Sequence, residues 1–264
     1  MSARLKELLL PAVLVLAALV VLISLGNWQV ERLAWKNDLI ARAQERPSSA
    51  PVDFSDLSEI GDHGAFLEEN EFRPMILSGE YAPEREALVF TSLDRPRGPF
   101  GGPGFWVLTP FVASTSGAAV LINRGFVPDS QRDAYAAPPV GPQTIRGLIR
   151  RPESGNWFTP EPKPEERIFF ARDPARIARA MGLAADSAER PILDFFVDLD
   201  ASFTPSSGVP QAGETRTSFT NNHLQYAITW YGLAAALLAV FAAFVWRRLK
   251  EPQAERLTQE GRHP

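Results

Sequence analysis

Histidines are the side chains whose positions say most about the chemistry open to this chain. The sequence has three of them, His63, His223 and His263, and their spacing does not form a zinc site of the H-E-x-x-H type. There is no cysteine, so the chain has no thiolate and no disulfide. A G-x-S-x-G stretch is absent, and no spacing singles out a catalytic pair of carboxylates. The sequence therefore predicts a protein that is not an enzyme and has no catalytic residues.

His223 differs from the other histidines because it stands at the entrance to a long apolar segment. On a helix it would share one face, at spacings i, i+3 and i+7, with Tyr226 and Trp230. A similar face follows an earlier apolar segment, at spacings i, i+4 and i+7: Trp28, Arg32 and Trp35. The ordinary interpretation is an aromatic belt at a bilayer surface, with the arginine reaching the head groups. Asn221 and Asn222 precede the histidine and are typical of helix caps.

Two apolar segments frame the chain. Residues 8–25 and 228–246 contain no charge, and each is long enough to cross a hydrocarbon core about 30 Å thick. The alternative for the first segment is a cleaved signal peptide, but its apolar run is longer than the usual core of such a peptide. We therefore expect membrane spans at 8–27 and 223–246, a central domain at 28–222, and short tails at 1–7 and 247–264.

Basic residues beside the spans predict the orientation. Arg247, Arg248 and Lys250 follow the second span closely, whereas few basic residues precede it, so its carboxyl end should be cytoplasmic. The first span alone favours the opposite orientation weakly, because Arg32 and Lys36 follow it. Two spans place both termini on one side, and the second span has the stronger bias. Both tails should then be cytoplasmic, with the central domain in the periplasm or an equivalent space.

The charge of the central region excludes one class of partner. The formal net charge is +3 over the two tails and −7 over the residues between positions 8 and 246. A negatively charged domain repels the phosphate backbone of nucleic acids. The sequence therefore predicts a membrane protein with no nucleic-acid partner.

Between the spans, short runs of alternating or continuous apolar residues predict a β-rich domain. Seven strands are expected, at residues 74–81, 87–92, 105–112, 118–127, 144–151, 167–171 and 192–199. An amphipathic helix is expected at 30–44, ended by the segment 46–51. The fold class that follows is α+β, with two transmembrane helices flanking one mainly antiparallel, β-rich extracytoplasmic domain of α+β or barrel-like architecture.

Two further segments have clear local signals. Asp173 as the N-cap, Pro174 at the first helical position and Gly182 as the stop predict a short helix between them. The loop RPRGPFGGPGF at 95–105 lacks the lysine and hydroxyl of a phosphate-binding loop. It is expected to be a flexible hairpin or a binding loop.

Three separated motifs give the chain a specific resemblance. They are LGNWQVERLAWKNDLI after the first span, LINRGFVP at 121–128 after FWVLTPF, and NNHLQYAITWYGLA at the second span. Together and in this order they resemble the Surfeit locus protein 1 family, the assembly factors of cytochrome c oxidase. Phe126 stands where the family often has tryptophan. The segments 46–72 and 152–215 match only loosely, so no functional residue is carried over to them.

The resemblance implies an inner-membrane protein that acts while haem A enters the catalytic subunit of the oxidase, with the haem A synthesis machinery as a possible second partner. Bacterial members are thought to bind haem A, with the histidine of the NNH motif as ligand, which is His223 here. Propionate pairing by Arg32, stacking by Trp28 and Trp230, and orientation of the imidazole by Asn221 and Asn222 would complete such a site. Tyr226 belongs to the same expected haem-binding set.

Two alternatives stay open under this resemblance. The protein either binds haem A and delivers it, or acts as a scaffold that stabilises an oxidase assembly intermediate without touching haem. Asn123, Arg124 and Gly125 most simply end a buried strand and form a turn, but they could also contact a partner.

Overall fold

A computed structural model of the protein describes residues 3–53, 63–182 and 192–250. Within these ranges the α-helices are α1 (Ala3–Glu45), α2 (His63–Asn70), α3 (Pro174–Ala180) and α4 (His223–Lys250). The strands are β1 (Val52–Asp53), β2 (Pro74–Tyr81), β3 (Ala87–Leu93), β4 (Gly102–Ala113), β5 (Ala119–Pro128), β6 (Gln143–Arg150), β7 (Ile168–Phe169) and β8 (Ile192–Leu199). The chain divides into two compact units, Met1–Leu39 with Phe219–Pro264, and Ile40–Ser218.

The central unit is a mixed, mainly antiparallel sheet that closes on itself. Its strands follow the order β1-β2-β6-β8-β5-β4-β3-β7, and β2 also pairs with β4. This extra pairing, which sets Gly79 opposite Ala113, makes a ring of β2, β6, β8, β5 and β4. A Cβ atom on Gly79 would lie 2.1 Å from the Val112 carbonyl oxygen, so only glycine permits this approach. The closure is barrel-like, as expected for one of the two alternatives.

Strand periodicity sorts the core residues onto two faces of the ring. Val120 and Ile122 of β5 belong to one apolar cluster, with alternate residues of β2, β6 and β8. Leu121 and Phe126 belong to a second cluster, which includes Ile177 of α3. β5 is buried along nearly its whole length because apolar neighbours cover both of its faces. The fold class predicted from the sequence is confirmed.

Local signals place several elements correctly. The strands at 74–81 and 192–199 have the predicted bounds, whereas the strand predicted at 167–171 is limited to Ile168–Phe169. β4 begins at Gly102, three residues earlier than expected, because Gly104 allows close pairing beside Val127. Asp173 caps α3 by accepting a hydrogen bond from the Arg176 backbone N–H at 3.0 Å. The predicted helix at 30–44 is the end of α1, which runs without interruption to Glu45.

The glycine-rich segment connects β3 to β4 and is fastened by side chains from the end of the central unit. Glu214 accepts hydrogen bonds from the backbone N–H groups of Arg97 and Gly98, at 2.8 and 2.7 Å. Gln211 bonds both the N–H and the carbonyl of Phe100, each at 2.9 Å. The expectation of a hairpin connection holds, and these bonds define its conformation.

The terminal unit pairs α1 with α4. Both helices are long and apolar enough to cross a membrane, and almost none of each apolar stretch is buried, unlike the core helix of a soluble protein. Their contact uses small residues: Gly26, Ala227 and Ala234 are buried. A Cβ atom on Gly26 would lie 2.6 Å from the ring of Tyr231, so glycine is what lets this ring lie against α1. These are the two apolar helices of a membrane protein.

Candidate functional site

The amide residues before α4 fix the position of His223. The Asn221 side-chain oxygen accepts a hydrogen bond from the His223 backbone N–H at 3.3 Å, so it caps the helix as the sequence indicated. The amide group of Asn221 also donates to the Asn37 side-chain oxygen of α1 at 2.8 Å. Asn222 provides the carbonyl that accepts from the Tyr226 N–H at 3.3 Å. His223 is therefore held at the first position of α4, beside α1.

The imidazole of His223 meets two consecutive residues of α1. Its Nδ1 lies 2.6 Å from the side-chain oxygen Oε1 of Gln29. The ring of Trp28 approaches it edge-on, with centroids 6.3 Å apart and an interplanar angle of 88°. About two turns further along α4, the Tyr231 hydroxyl donates to the Asn27 side-chain oxygen at 2.7 Å. The structure thus brings together Trp28 and His223, two of the residues expected at the site.

The other expected residues, Arg32, Tyr226 and Trp230, lie on the same two helices. In the described part of the chain none of their side chains makes a hydrogen bond or ring contact with the imidazole. The Arg32 guanidinium lies 3.7 Å from the ring centroid of Trp35, on its own helix, and Arg32 is exposed. Trp28 and Tyr226 are 52% and 55% exposed, which leaves ring surface for a ligand. The indole nitrogen of Trp230 is buried and has no hydrogen-bond partner in the described part of the chain.

Gln29, Asn27 and Tyr231 complete the contact but were not among the predicted site residues. Helical spacing from Trp28 gave one face of α1, whereas Asn27 and Gln29 bond to residues of α4, where Tyr231 lies. The sequence did contain one signal for Gln29. This glutamine stands just after an apolar span, where a buried side-chain amide needs a hydrogen-bond partner. Finding that partner required the pairing of residues separated by 194 positions in the chain.

The predicted contact residues of the central unit lie inside it. Asn123 and Arg124 are 4% and 6% exposed, and both bond to buried carboxylates. Asn123 donates to Asp198 at 2.7 Å, and Arg124 donates to Glu86 at 2.9 Å and to the Ala136 carbonyl at 2.5 Å. The register between β4 and β5 shifts here, so that Arg124 is the extra residue of a β-bulge. In these positions their side chains hold the barrel together, and a partner contact remains a prediction.

Glu86 collects three donors in this network. Besides Arg124, the hydroxyls of Thr109 and Tyr135 donate to its carboxylate, the second at 2.6 Å. Burial and then the charge and hydrogen bond of Glu86 raise the pKa of Tyr135 above its ordinary value. Burial likewise raises the pKa of Tyr81 to about 12, although the charge of Arg124 opposes the shift. Both tyrosines are therefore neutral at physiological pH, and Tyr135 is a hydrogen-bond donor to Glu86.

Asp198 forms a second network with four donors. Asn123 and Thr215 bond to it at 2.7 and 2.8 Å, while Arg172 and Arg150 lie at 3.4 and 3.7 Å. Burial lowers the pKa of Arg172, but Asp198 and then Glu153 raise it more, so its pKa lies above the ordinary value. Every charge here is paired, which is what buried ions require for stability. Within the described residues there is no cluster of three or more His, Asp or Glu side chains suited to a metal ion.

Fold and site together define a class: a membrane protein with two terminal helices around one barrel-like unit, and a histidine held where those helices meet. The SURF1 family model matches residues 16–235. Surfeit locus protein 1 of Rattus norvegicus is 32% identical over 238 residues, covering 85% of this chain and 71% of its own. The Homo sapiens protein of the same name is 33% identical over 235 residues, covering 81% and 70%. A SURF1-like protein of Monosiga brevicollis is 32% identical over 235 residues, covering 84% and 82%.

The chain belongs to the SURF1 family, whose members are known as cytochrome c oxidase assembly factors. The match runs from within α1 through the whole of the barrel into α4, so it covers the three motifs that gave the resemblance. The family is one of assembly factors rather than of enzymes.

Proposed function

We propose that this protein assists the assembly of a haem-copper cytochrome c oxidase by binding haem A at His223 and passing it to the catalytic subunit. Family membership supports the oxidase as the general partner. The haem A synthesis machinery is the second partner in this proposal. Binding of haem A rests on the chemistry of the helix pair.

The observation that carries the proposal is the meeting of His223 with Trp28 at the end of two apolar helices. Haem A is a large apolar ring with a farnesyl tail and two carboxylates. Apolar helix surface suits the tail, and exposed aromatic rings at 28 and 226 suit the macrocycle. The exposed guanidinium of Arg32 suits a carboxylate. A single imidazole, with no second ligand side chain beside it among the described contacts, fits an axial ligand of haem iron.

Each residue has a distinct part in this proposal. When bound, haem supplies an iron that takes a nitrogen ligand. His223 gives that ligand, and Asn221 keeps it in place by capping α4 and bonding to Asn37 of α1. Trp28 and Trp230 contact the ring system, with Asn222 and Tyr226 beside them. Because only one histidine holds the iron, binding is weak enough for transfer to the oxidase subunit.

The proposed location is the inner membrane, with both termini cytoplasmic and the central unit periplasmic. Arg247, Arg248 and Lys250 end α4 and support a cytoplasmic carboxyl end. Haem would then be bound at the periplasmic surface of the membrane.

The test is the substitution His223→Ala in protein produced together with haem A. We expect the Soret band to shift or disappear, with membrane insertion and protein amount unchanged. His63→Ala is the matched control, because His63 begins α2 in the other unit and should leave the spectrum as it is. An unchanged spectrum in the His223 variant would remove the ligand assignment. Loss of the protein itself would favour a purely structural histidine.

A scaffold that does not bind haem is the second candidate, and an exposed aromatic pair supports it. Trp157 and Phe158 are 86% and 73% exposed, and their rings lie against each other with centroids 3.5 Å apart and planes tilted by 33°. Such a pair is suited to a protein contact. Purification of the protein from cells with and without haem A synthesis separates the two functions. A scaffold would retain the oxidase subunit in both, whereas the haem carrier would show a haem spectrum only in the first.

A further inference from the structure

Gln29 is a buried polar residue whose role the proposed function does not use. It lies on α1 just beyond the apolar stretch and is 9% exposed. Gly26, one turn earlier, is buried on the same side, so this face of α1 is the one that meets α4. A buried amide in such a place costs free energy unless it is hydrogen-bonded. Its hydrogen bond is made to the imidazole of His223.

The atoms of this bond determine where the imidazole carries its proton. The contact joins Nδ1 of His223 to Oε1 of Gln29 at 2.6 Å. An amide oxygen only accepts hydrogen bonds, so Nδ1 must be the donor. In the neutral ring the second nitrogen, Nε2, then has no proton and presents its lone pair. Nε2 makes no hydrogen bond within the part of the chain that the structure describes.

We infer that Gln29 is a positioning residue, which holds neutral His223 with its proton on Nδ1 and keeps Nε2 free as the ligand atom. In water a neutral histidine side chain prefers the opposite form, with the proton on Nε2, which cannot bind a metal through that atom. Gln29 thus selects the form that the site needs. The assignment of iron as the bound metal rests on the proposed function, whereas the position of the proton does not.

The contacts around Gln29 make this selection stable. The ring of Tyr231 packs on Gly26, which fixes the two helices on one side of Gln29, and phenylalanine at this position would keep the ring contact. Asn221 bonds to Asn37 at 2.8 Å on the other side. Trp28 lies edge-on to the imidazole and limits its rotation. The amide therefore faces a ring whose orientation is set independently, as in metal sites where an outer partner orients a histidine ligand.

The competing arrangement has the side-chain amide of Gln29 reversed, so that its oxygen and its nitrogen exchange places. It would place the NH₂ group of Gln29 against Nδ1, move the proton to Nε2 and remove the free ligand atom. A glutamate at position 29 has only acceptor oxygens and cannot adopt that arrangement. A leucine has neither donor nor acceptor. These two substitutions, Gln29→Glu and Gln29→Leu, separate the hydrogen bond from the volume of the side chain.

The first measurement is made without haem. Full-length protein labelled with ¹⁵N at histidine only, in lipid nanodiscs at about pH 8, gives signals from three histidines, and His223→Ala assigns the one of interest. We expect His223 to carry its proton on Nδ1 in the wild type. Gln29→Leu should shift the population toward Nε2–H, and Gln29→Glu should keep Nδ1 protonated. Tyr231→Phe, which removes another interhelical bond, is the control and should change nothing. A wild-type signal from the Nε2–H form would overturn the inference.

The second measurement is a titration of the same proteins with haem A, followed by the Soret band. Gln29→Leu should weaken binding by about 10–100-fold, as loss of an outer partner of a metal ligand does. Gln29→Glu and Tyr231→Phe should bind and keep the wild-type spectrum. Equal affinity of Gln29→Leu and the wild type would overturn a positioning role. If the wild type binds no haem A but shows the Nδ1–H form, the proposed function fails and the selection of the proton position stands.

Discussion

Glu86 shows how single residues of the central unit are committed to its interior. Its carboxylate accepts hydrogen bonds from the side chains of Arg124, Thr109 and Tyr135. Removing one member would leave a buried charge or hydroxyl without its partner, which costs more than the bond itself contributes. The same holds for Asp198 and its donors. These polar residues therefore help to define one barrel structure, and a partner contact through Asn123 or Arg124 stays a prediction.

The first prediction concerns the pH dependence of stability and rests on Tyr81. Its pKa is about 12 in the folded protein, against an ordinary value of about 10. Because the folded pKa is raised, the contribution to stability is complete below about pH 10 and is lost as the pH rises toward 12. The loss for this residue should reach about 2–3 kcal/mol. Unfolding by denaturant between about pH 9 and 11 should show the decline, and Tyr81→Phe should make it shallower.

The control for this prediction is Tyr226→Phe, since Tyr226 is exposed and lies on α4. It should leave the pH profile unchanged. Tyr135, whose pKa is also raised, adds to the decline in the same direction. Identical profiles for the wild type and Tyr81→Phe would contradict the assignment of Tyr81.

At this scale the sequence predicted part of the candidate site. The helical spacing of His223, Tyr226 and Trp230, and the amides before them, gave the capped start of α4. The partner Gln29 could not be predicted from spacing, because it depends on how α1 and α4 are rotated about their axes. Likewise the hydrogen bonds of the Asn123 and Arg124 side chains are made to residues that are distant in sequence. The sequence around these two residues was therefore compatible with a structural role and with a contact to a partner protein.

At the scale of elements, the β-bulge in β5 determines how the end of the barrel is built. Gly125 has a φ of +135° and pairs with Val107, while Asn123 pairs with Leu108. On its other side, Phe126 exchanges two backbone hydrogen bonds with Gln211, both 2.8 Å. The bulge thus brings Gln211 against β5, and Gln211 fastens the glycine-rich connection of β3 to β4.

The second prediction is that Gly125→Ala strongly destabilises the central unit. An added Cβ atom would lie 2.3 Å from the carbonyl carbon of Gln211, and the backbone angle is one that alanine rarely adopts. We expect a loss of about 2–5 kcal/mol, from strain and overpacking together. Thermal unfolding of the full chain in detergent measures it. Gly117→Ala has a positive φ but open space around the new atom, so it should cost only about 1 kcal/mol. Equal effects of both substitutions would contradict this account.

Elements were predictable where a local pattern recurs. Seven strands were expected from apolar periodicity, and α3 from its cap and stop residues. α2 and β1 were not expected, because HGAFLEEN has a weak periodicity and a two-residue strand has no pattern at all. The ring closes through the pairing of β2 with β4, which are distant in sequence. Local patterns do not reveal such a pairing, so the sequence left an α+β and a barrel-like architecture as alternatives.

At the scale of the whole molecule, the third prediction concerns topology. A reporter active only outside the cytoplasm, inserted near Pro160, should be active, because that segment is exposed and belongs to the central unit. The same reporter fused after Pro252 should be silent, since Arg247, Arg248 and Lys250 favour a cytoplasmic position for that end. The reverse pattern of activities would show that both the orientation and the compartment are wrong.

The last prediction joins the helix pair to the process in which the protein acts. Deleting the gene should lower active haem-A oxidase severalfold while transcripts of the oxidase subunits stay unchanged, because the defect lies in assembly. Absorption spectra of membranes and oxygen consumption by that oxidase are the measurements, and a terminal oxidase without haem A is the internal control. Normal haem-A spectra and normal respiration in the deletion strain would show that assembly is the wrong process.

Complementation then assigns the defect to the site. The wild-type gene should restore the oxidase, and Tyr231→Phe should restore it equally because it leaves the bond from Gln29 to His223 intact. Under the proposed function, His223→Ala should restore it only partly, since the aromatic residues and Arg32 would still retain haem A weakly. Full restoration by His223→Ala, with its protein present at the wild-type amount, would favour the scaffold, because a scaffold depends on the shape of the helix pair and not on an imidazole ligand.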